Sequence, residues 1–475
     1  MSGDELIQMT ATEVAARLAA GDVSPVELVD AAAARIEAVN PAVNALPILC
    51  LDEARDRAVD MTDHPPPVSE RGPLWGIPIA VKDYNDLAGV RTTYGSPIFA
   101  DNVARRSDAT VARLEASGAI PIGKSNVPEW AGAHTFNPVF GHTRNPWNGM
   151  RSAGGSSGGS GVALATGMVW LATGNDLGGS LRVPASFNGV VGLRPSPGRV
   201  PRSSRLPAFD TLWVEGPMGR NVADVALMLD GGSGRSPEDP LSFDSAGPSL
   251  SQALNDPTAA PRRVAFSPDL GVVPMEPEVA EICAAAAQGF AATGAEVRHD
   301  TPDFSGVIEA FQTLRAVLIA VMMEDLLKTH REQIAPEIIW NIEKGLAVSN
   351  AELLEAERVR WRLAKEVTAF FERYDLLLCP TVSVPPFPME QRYVETIAGQ
   401  PTRTYIDWIA ITFAVTMTAC PALSLPVGYT GSGLPVGLQV IGPPRAEAEL
   451  VRACRHIEAE LGLASAVPID PRPSG

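Results

Sequence analysis

The sequence predicts an α/β protein built as a single large domain. A mixed, mostly buried central β-sheet is expected, with helices on both faces. Three observations carry that prediction. The first third alternates strand-like and helix-like segments, as a largely buried sheet requires. The stretch 305–374 is strongly helical, and strand-like composition returns after it in DLLLCP (375–380), 422–427 and 435–441. At 475 residues, with 45% hydrophobic and 20% charged, the chain can bury an extensive core and is not disordered.

The elements follow in chain order. Ser24-Pro25-Val26-Glu27 is a capping box with proline at the first helical position, and opens a helix expected to run to about Ala38 and stop near Asn40-Pro41. GIPIAVK (76–82) and AIPIG (119–123) are short apolar runs beside glycine, which suits buried strands. Residues 108–117 read as a helix between them. A buried helix is expected to begin near Gly161, after the run RSAGGSSGGSG (151–161). The stretch 237–261, rich in Pro, Ser, Asp and Gly, reads as a surface connection. A helix is expected over 275–293. In the helical stretch a break is expected near Pro336 and a cap at Ser349-Asn350. No internal repeat is present. The motif-rich core spans about 70–220, the helical substrate-side region about 275–375, and the return to the sheet about 375–475.

The net charge of −17 disfavours nucleic acid and anionic membrane surfaces as partners. Five scattered cysteines without a CxxC pair fit reduced thiols, and no metal site or cofactor is expected. The acidic start MSGDELIQMT lacks the features of a secretory signal, and the longest apolar run, 316–323, is too short to span a bilayer. A cytoplasmic location is expected. A homodimer is the open alternative to a single chain.

The Gly/Ser run admits three readings. A linker would have polar flanks, yet this run enters the apolar GVALATGMVWLATG. Nucleotide binding is suggested by Gly118–Ser125, a literal GxxxxGK[ST]. Its middle residues Ala-Ile-Pro-Ile read as a strand, however, and Pro121 has no N–H to offer a phosphate. A nucleophile elbow is matched at Ser156 and Ser157, but it needs a later histidine, and His330 and His456 fall on helices.

A different base is available. Lys82 closes a buried strand, where desolvation lowers a lysine pKa towards neutrality. Downstream lies a second glycine-rich turn, GNDLGGSLRVPASFNG (174–189). Gly178 and Gly179 there let backbone N–H groups approach a developing oxyanion beside Ser180.

With GIPIAVKD (76–83), GAIPIGKSNVPEW (118–130), RNPWN (144–148), AGGSSGGSG (153–161), GNDLGGSLRVPASFNGVVGLRPSPGRV (174–200) and GLPVGLQVIG (433–442), the chain resembles the amidase signature family. The resemblance implies a serine amidohydrolase. Ser180 would attack the carbonyl, and Ser156, across a cis Gly155–Ser156 peptide, would relay protons to Lys82. The N–H groups of Leu177, Gly178, Gly179 and Ser180 would hold the oxyanion. Ser157 would support Lys82 or cap a turn, and Asp176 and Arg182 would brace the second turn. Asn175 departs from the family, where a hydroxyl residue is common; the GND form resembles members acting on nylon oligomers. The expected substrate is a small apolar or aryl amide, with carbamates (urethanase activity), esters or nylon-type oligomers as alternatives. Candidate pocket segments are 130–140, 318–323 and 405–418.

Overall fold

The structure, a computed structural model, describes residues 1–130, 132–203, 205–244, 248–254 and 261–472. Its centre is an eleven-stranded sheet. In chain order the strands are Ile48–Leu49 (β1), Pro78–Lys82 (β2), Ile120–Ser125 (β3), Leu171–Asp176 (β4), Val191–Arg194 (β5), Val214–Gly219 (β6), Arg263–Phe266 (β7), Glu296–His299 (β8), Leu376–Pro380 (β9), Ala422–Tyr429 (β10) and Pro435–Ile441 (β11). Their spatial order is β1-β3-β2-β4-β6-β5-β10-β11-β9-β7-β8. The β3-β2-β4 and β9-β7-β8 neighbours are parallel and the rest antiparallel, so the sheet is mixed as expected.

Both faces are covered, and the period-2 alternation of strand side chains shows how. Leu377 and Cys379 join a core with Val183 and Phe187 of the helix Arg182–Asn188 and with Phe413. Leu376 and Leu378 point the other way, into a core with Val279 and Phe290 of the helix Pro277–Ala292. Around β2–β4 a third cluster gathers Ile79, Val81, Ile122 and Ala172 with the N-terminal helices and Gly158–Ala165.

The helical insert is Val307–His330, Pro336–Ala347 and Asn350–Phe371. Pro336 starts the second helix, and Ser349 caps the third in a capping box with Glu352. One boundary differs from expectation. The helix opened by Pro25 continues through Pro41 to Val43. A proline in the last turn forfeits only one backbone bond, and Asn44 in the left-handed region ends the helix instead. The Asn40 carboxamide then accepts from the N–H groups of Ala45 and Leu46, securing the exit. The buried helix after the Gly/Ser run likewise begins at Gly158, three residues before its expected start. Of the expected connection 237–261, residues 245–247 and 255–260 lie outside the described residues, and Leu250–Ala253 forms a short helix. Among the described residues no helix is long and apolar enough to cross a membrane. The five cysteines are buried and unpaired.

Candidate active site

Lys82 ends β2, a strand whose five residues are all buried. Its Nζ lies 2.7 Å from Ser156 Oγ, 2.8 Å from Ser157 Oγ and 2.6 Å from Asn175 Oδ1. Its backbone N–H donates to Thr173 Oγ1 of β4 at 2.7 Å, which ties the end of one strand to the neighbour that carries Asn175. Burial pushes the Lys82 pKa down; Glu215 and Asp176 pull the other way without cancelling it. The Tyr84 ring faces the ammonium position, with its centroid 4.7 Å from Nζ.

Ser156 and Ser157 sit at the head of the helix Gly158–Ala165, and the Gly155–Ser156 peptide is cis. Ser157 makes no side-chain cap to that helix, so its hydroxyl serves Lys82. Gly155 is required here by proximity: a Cβ would lie 2.8 Å from the Ala133 carbonyl carbon.

Ser180 follows β4 in the turn 177–181. Its carbonyl accepts from the Ser157 N–H at 3.2 Å, so the two glycine-rich turns are joined by backbone as well as by Lys82. Among the described residues no hydrogen bond joins the Ser156 and Ser180 hydroxyls. Both line one narrow pocket, with Asn175, Leu177 and Gly178 beside them.

The turn is shaped by Asp176. Its carboxylate accepts from Arg182 Nε and Nη2 at 2.9 and 2.8 Å, from Arg194 Nη1 at 3.1 Å and from the Leu181 N–H at 3.2 Å. Burial alone would raise its pKa, but the two guanidiniums and the amide outweigh that and hold it below the usual carboxylate range. Sequence reasoning paired Asp176 with Arg182 and missed Arg194, which stands on the next-but-one strand of the sheet. The Gly179 N–H also donates to Asp176 Oδ1, at 2.9 Å. One N–H aimed at one carboxylate is not aimed into the pocket, so Gly179 leaves the expected set of oxyanion donors. Its role is conformational: φ is +129° and a side chain would collide with Thr412. Among the described residues the N–H groups of Leu177, Gly178 and Ser180 have no acceptor.

The pocket walls come from all three segments singled out in the sequence. Trp130, Gly132 and Ala133 form one side, and Ile406 and Ile409 another. Leu318, Ile319, Met322 and Met323 line an adjoining apolar recess that shares Trp130, Leu177 and Trp213 with the first pocket. Ala131, within 130–140, lies outside the described residues. Three wall residues were missed: Trp213, Phe311 and Arg315. Arg315 donates to Asn341 Oδ1 at 2.5 Å and Tyr405 Oη at 2.6 Å, a polar element in a wall expected to hold few cations. Trp213 Nε1 donates to Glu215 Oε1 at 3.0 Å. Asn85 Nδ2 holds the other oxygen of Glu215 at 3.2 Å. Burial raises the Glu215 pKa.

The nucleotide-binding alternative finds no cradle. Residues 120–125 are the strand β3, not a loop, and Lys124 is fully buried. Its ammonium donates to Asp83 Oδ1 at 3.0 Å and to the Asn85 carbonyl and Thr92 Oγ1 at 2.7 Å each. Histidine stands apart from the two serines: His134 binds Ser152 Oγ and the Met389 carbonyl. Among the described residues no cluster of His, Cys, Asp and Glu could hold a metal ion.

Comparison with known proteins adds an independent line. The family model described as Amidase matches residues 27–451. An acylamidase from Rhodococcus erythropolis is 34% identical over 475 residues, covering 99% of both chains. A glutamyl-tRNA(Gln) amidotransferase subunit from Moorella thermoacetica is 35% identical, covering 96% of this chain and 97% of its own. Among solved structures, a bacterial aryl acylamidase of the amidase signature enzymes superposes with a TM-score of 0.88 at 27% identity, covering 97% of this chain and 99% of that one. A 6-aminohexanoate cyclic dimer hydrolase complexed with substrate gives 0.87 at 27% identity, covering 98% and 100%.

Proposed function

The chain belongs to the amidase family, and from that premise we propose that it hydrolyses carboxylic amides through Lys82, Ser156 and Ser180, on small substrates with an apolar or aryl acyl group. The observation that carries the reading is the set of three partners around Lys82. A neutral amine has two N–H donors and one lone pair. Asn175 Oδ1 can only accept, so it takes one N–H. Ser157 takes the other, and the lone pair is left for the Ser156 O–H. A base with its lone pair already on a hydroxyl is poised to draw that proton.

The sequence of steps follows. Lys82 accepts the Ser156 proton as Ser156 accepts that of Ser180. Ser180 Oγ bonds to the carbonyl carbon, and the N–H groups of Leu177, Gly178 and Ser180 receive the oxyanion. Ser156 returns a proton to the amine as the C–N bond breaks, and Lys82 restores the Ser156 proton. Water then enters by the reverse relay and releases the acid. The apolar recess of Leu318, Ile319, Met322 and Met323 supports an apolar or aryl acyl group. The names of the acylamidase and aryl acylamidase relatives point the same way.

The test is covalent labelling with turnover. An aryl sulfonyl fluoride is expected to modify Ser180 stoichiometrically in intact-mass spectra. Ser180→Ala and Lys82→Ala are expected to lose at least about 10³-fold in kcat on an anilide while keeping the wild-type circular dichroism spectrum. Normal turnover by Ser180→Ala would sink the proposal.

A further inference from the structure

Each turnover by the relay above passes through a state in which Lys82 carries the proton it took from Ser156. A charge then stands where burial disfavours one, and some neighbour must receive it. Among the described residues Lys82 has no ion-pair partner, and its hydrogen-bond partners are the neutral oxygens of Ser156, Ser157 and Asn175. The nearby carboxylates are committed elsewhere. Asp176 is held by Arg182 and Arg194. Glu215 is held by Trp213 Nε1 and Asn85 Nδ2, and Asp83 by Thr93 and the Lys124 ammonium. Glu129, on the far side of Tyr84, accepts from Ser96 Oγ and the Ala335 N–H.

Nζ lies over the Tyr84 ring, 4.7 Å from its centroid. Just past β2 the Asn85 N–H donates to the Lys82 carbonyl at 2.9 Å, a turn that carries the side chain of Tyr84 back to the lysine. Lys124 fastens the same turn through Asp83 Oδ1 and the Asn85 carbonyl. The far edge of the ring is fixed by its hydroxyl, which donates to the Pro128 carbonyl at 2.5 Å. Trp213 packs beside it, with ring centroids 6.2 Å apart. Tyr84 is only 7% exposed, so little water competes for the cation. Burial also pushes the Tyr84 hydroxyl pKa well above its ordinary value, which keeps the ring neutral.

The face of an aromatic ring is the negative end of its quadrupole and attracts a cation held over it, most strongly where water is excluded. It has no comparable attraction for a neutral amine, so the contact acts unequally on the two protonation states of Lys82. We propose that Tyr84 is a positioning residue for the relay, its ring face holding the Lys82 ammonium while the proton rests there and thereby setting how strong a base Lys82 is. This rests on the Lys82–Ser156–Ser180 reading above. In the step concerned, the Ser156 O–H bond breaks and an N–H bond forms on Lys82; no bond to Tyr84 is made or broken.

The sign of the effect makes it testable. A ring that favours the ammonium raises the Lys82 pKa against the pull of burial. Weakening the ring lowers that pKa, so the fall of kcat/KM on acidification moves to lower pH. Loosened packing, by contrast, admits water and moves that acid limb upwards. The limb is measured on an anilide for wild type, Tyr84→Phe, Tyr84→Leu, and chains with 3,5-difluoro- or 3,4,5-trifluorophenylalanine in place of Tyr84. Fluorine drains the negative charge from the ring face and leaves the ring shape nearly unchanged. Tyr84→Phe, which keeps the face and loses only the hydroxyl, is expected within about 0.3 pH unit of wild type. Tyr84→Leu is expected at least about 0.5 unit lower, and the fluorinated chains lower in order of their fluorine count. A limb that stays in place or rises in the fluorinated chains overturns the assignment, as does a shift in Tyr84→Phe as large as in Tyr84→Leu. The fluorinated chains decide the matter if Tyr84→Leu does not fold. Sulfonyl fluoride labelling separates the two readings. Label on Ser180 with an unmoved limb removes Tyr84 alone; no label on Ser180 removes the underlying relay.

Discussion

Lys82 makes the sharpest demand of any residue. Its pKa is lowered by burial, and the base form is the neutral one, so activity is present above that pKa and lost as pH falls through it. The acid limb of kcat/KM is expected well below the ordinary lysine value of about 10.4. Lys82→Arg, charged at every accessible pH, should show no limb and no turnover. A profile that falls as pH rises through neutrality would contradict the assignment. Asp176 makes a structural demand. Asp176→Ala leaves Arg182 and Arg194 buried without their carboxylate, at a cost of about 3–5 kcal/mol in denaturant unfolding. At this scale the sequence was most informative about local backbone structure in its short motifs. Lys82 closes an apolar run beside glycine that reads as a buried strand, and Ser156 and Ser180 stand in glycine-rich turns, as the structure has them. Arg194 and the commitment of the Gly179 N–H were not visible, because each depends on the direction in which a group points across the sheet.

Single elements follow their local rules closely. Ser349 and Glu352 close a reciprocal capping box, and Ser349→Ala is expected to cost about 1 kcal/mol with kcat unchanged, read from urea unfolding and an anilide assay. Lys124 shows the opposite case, a motif whose letters mislead. On β3 its ammonium reaches back to Asp83 and Asn85 just after β2, pinning the segment that follows the proposed base. Lys124→Ala should destabilise by about 3–5 kcal/mol, and a double substitution of Lys124 and Asp83 by apolar residues by much less than the sum of the two singles. An additive double variant would show that the pair is not coupled. Strand and helix positions were legible from apolar runs beside glycine. The exit of the first long helix was not, because the stop comes from a left-handed Asn44 and the Asn40 side chain rather than from Pro41.

Over the whole molecule, charge bears on partners. One relative belongs to a glutamyl-tRNA(Gln) amidotransferase, yet this chain carries a net charge of −17. No retardation of tRNA is expected in a native gel even at low salt, where phosphate contacts are strongest; a shift there would reverse that expectation. The layered architecture was readable from composition along the chain, whereas the pocket was readable only in part. Trp213, Phe311 and Arg315 come from segments far apart in sequence and meet only after folding. That arrangement has a consequence for how such a protein diversifies. The groups assigned to bond-breaking are encoded between residues 82 and 180, while most of the enclosing surface is drawn from outside that interval, at 213, 311–323 and 406–409. Inheritance can therefore hold the reactive cassette constant and rewrite the enclosure one distant codon at a time, so that new diets arise without relearning the chemistry.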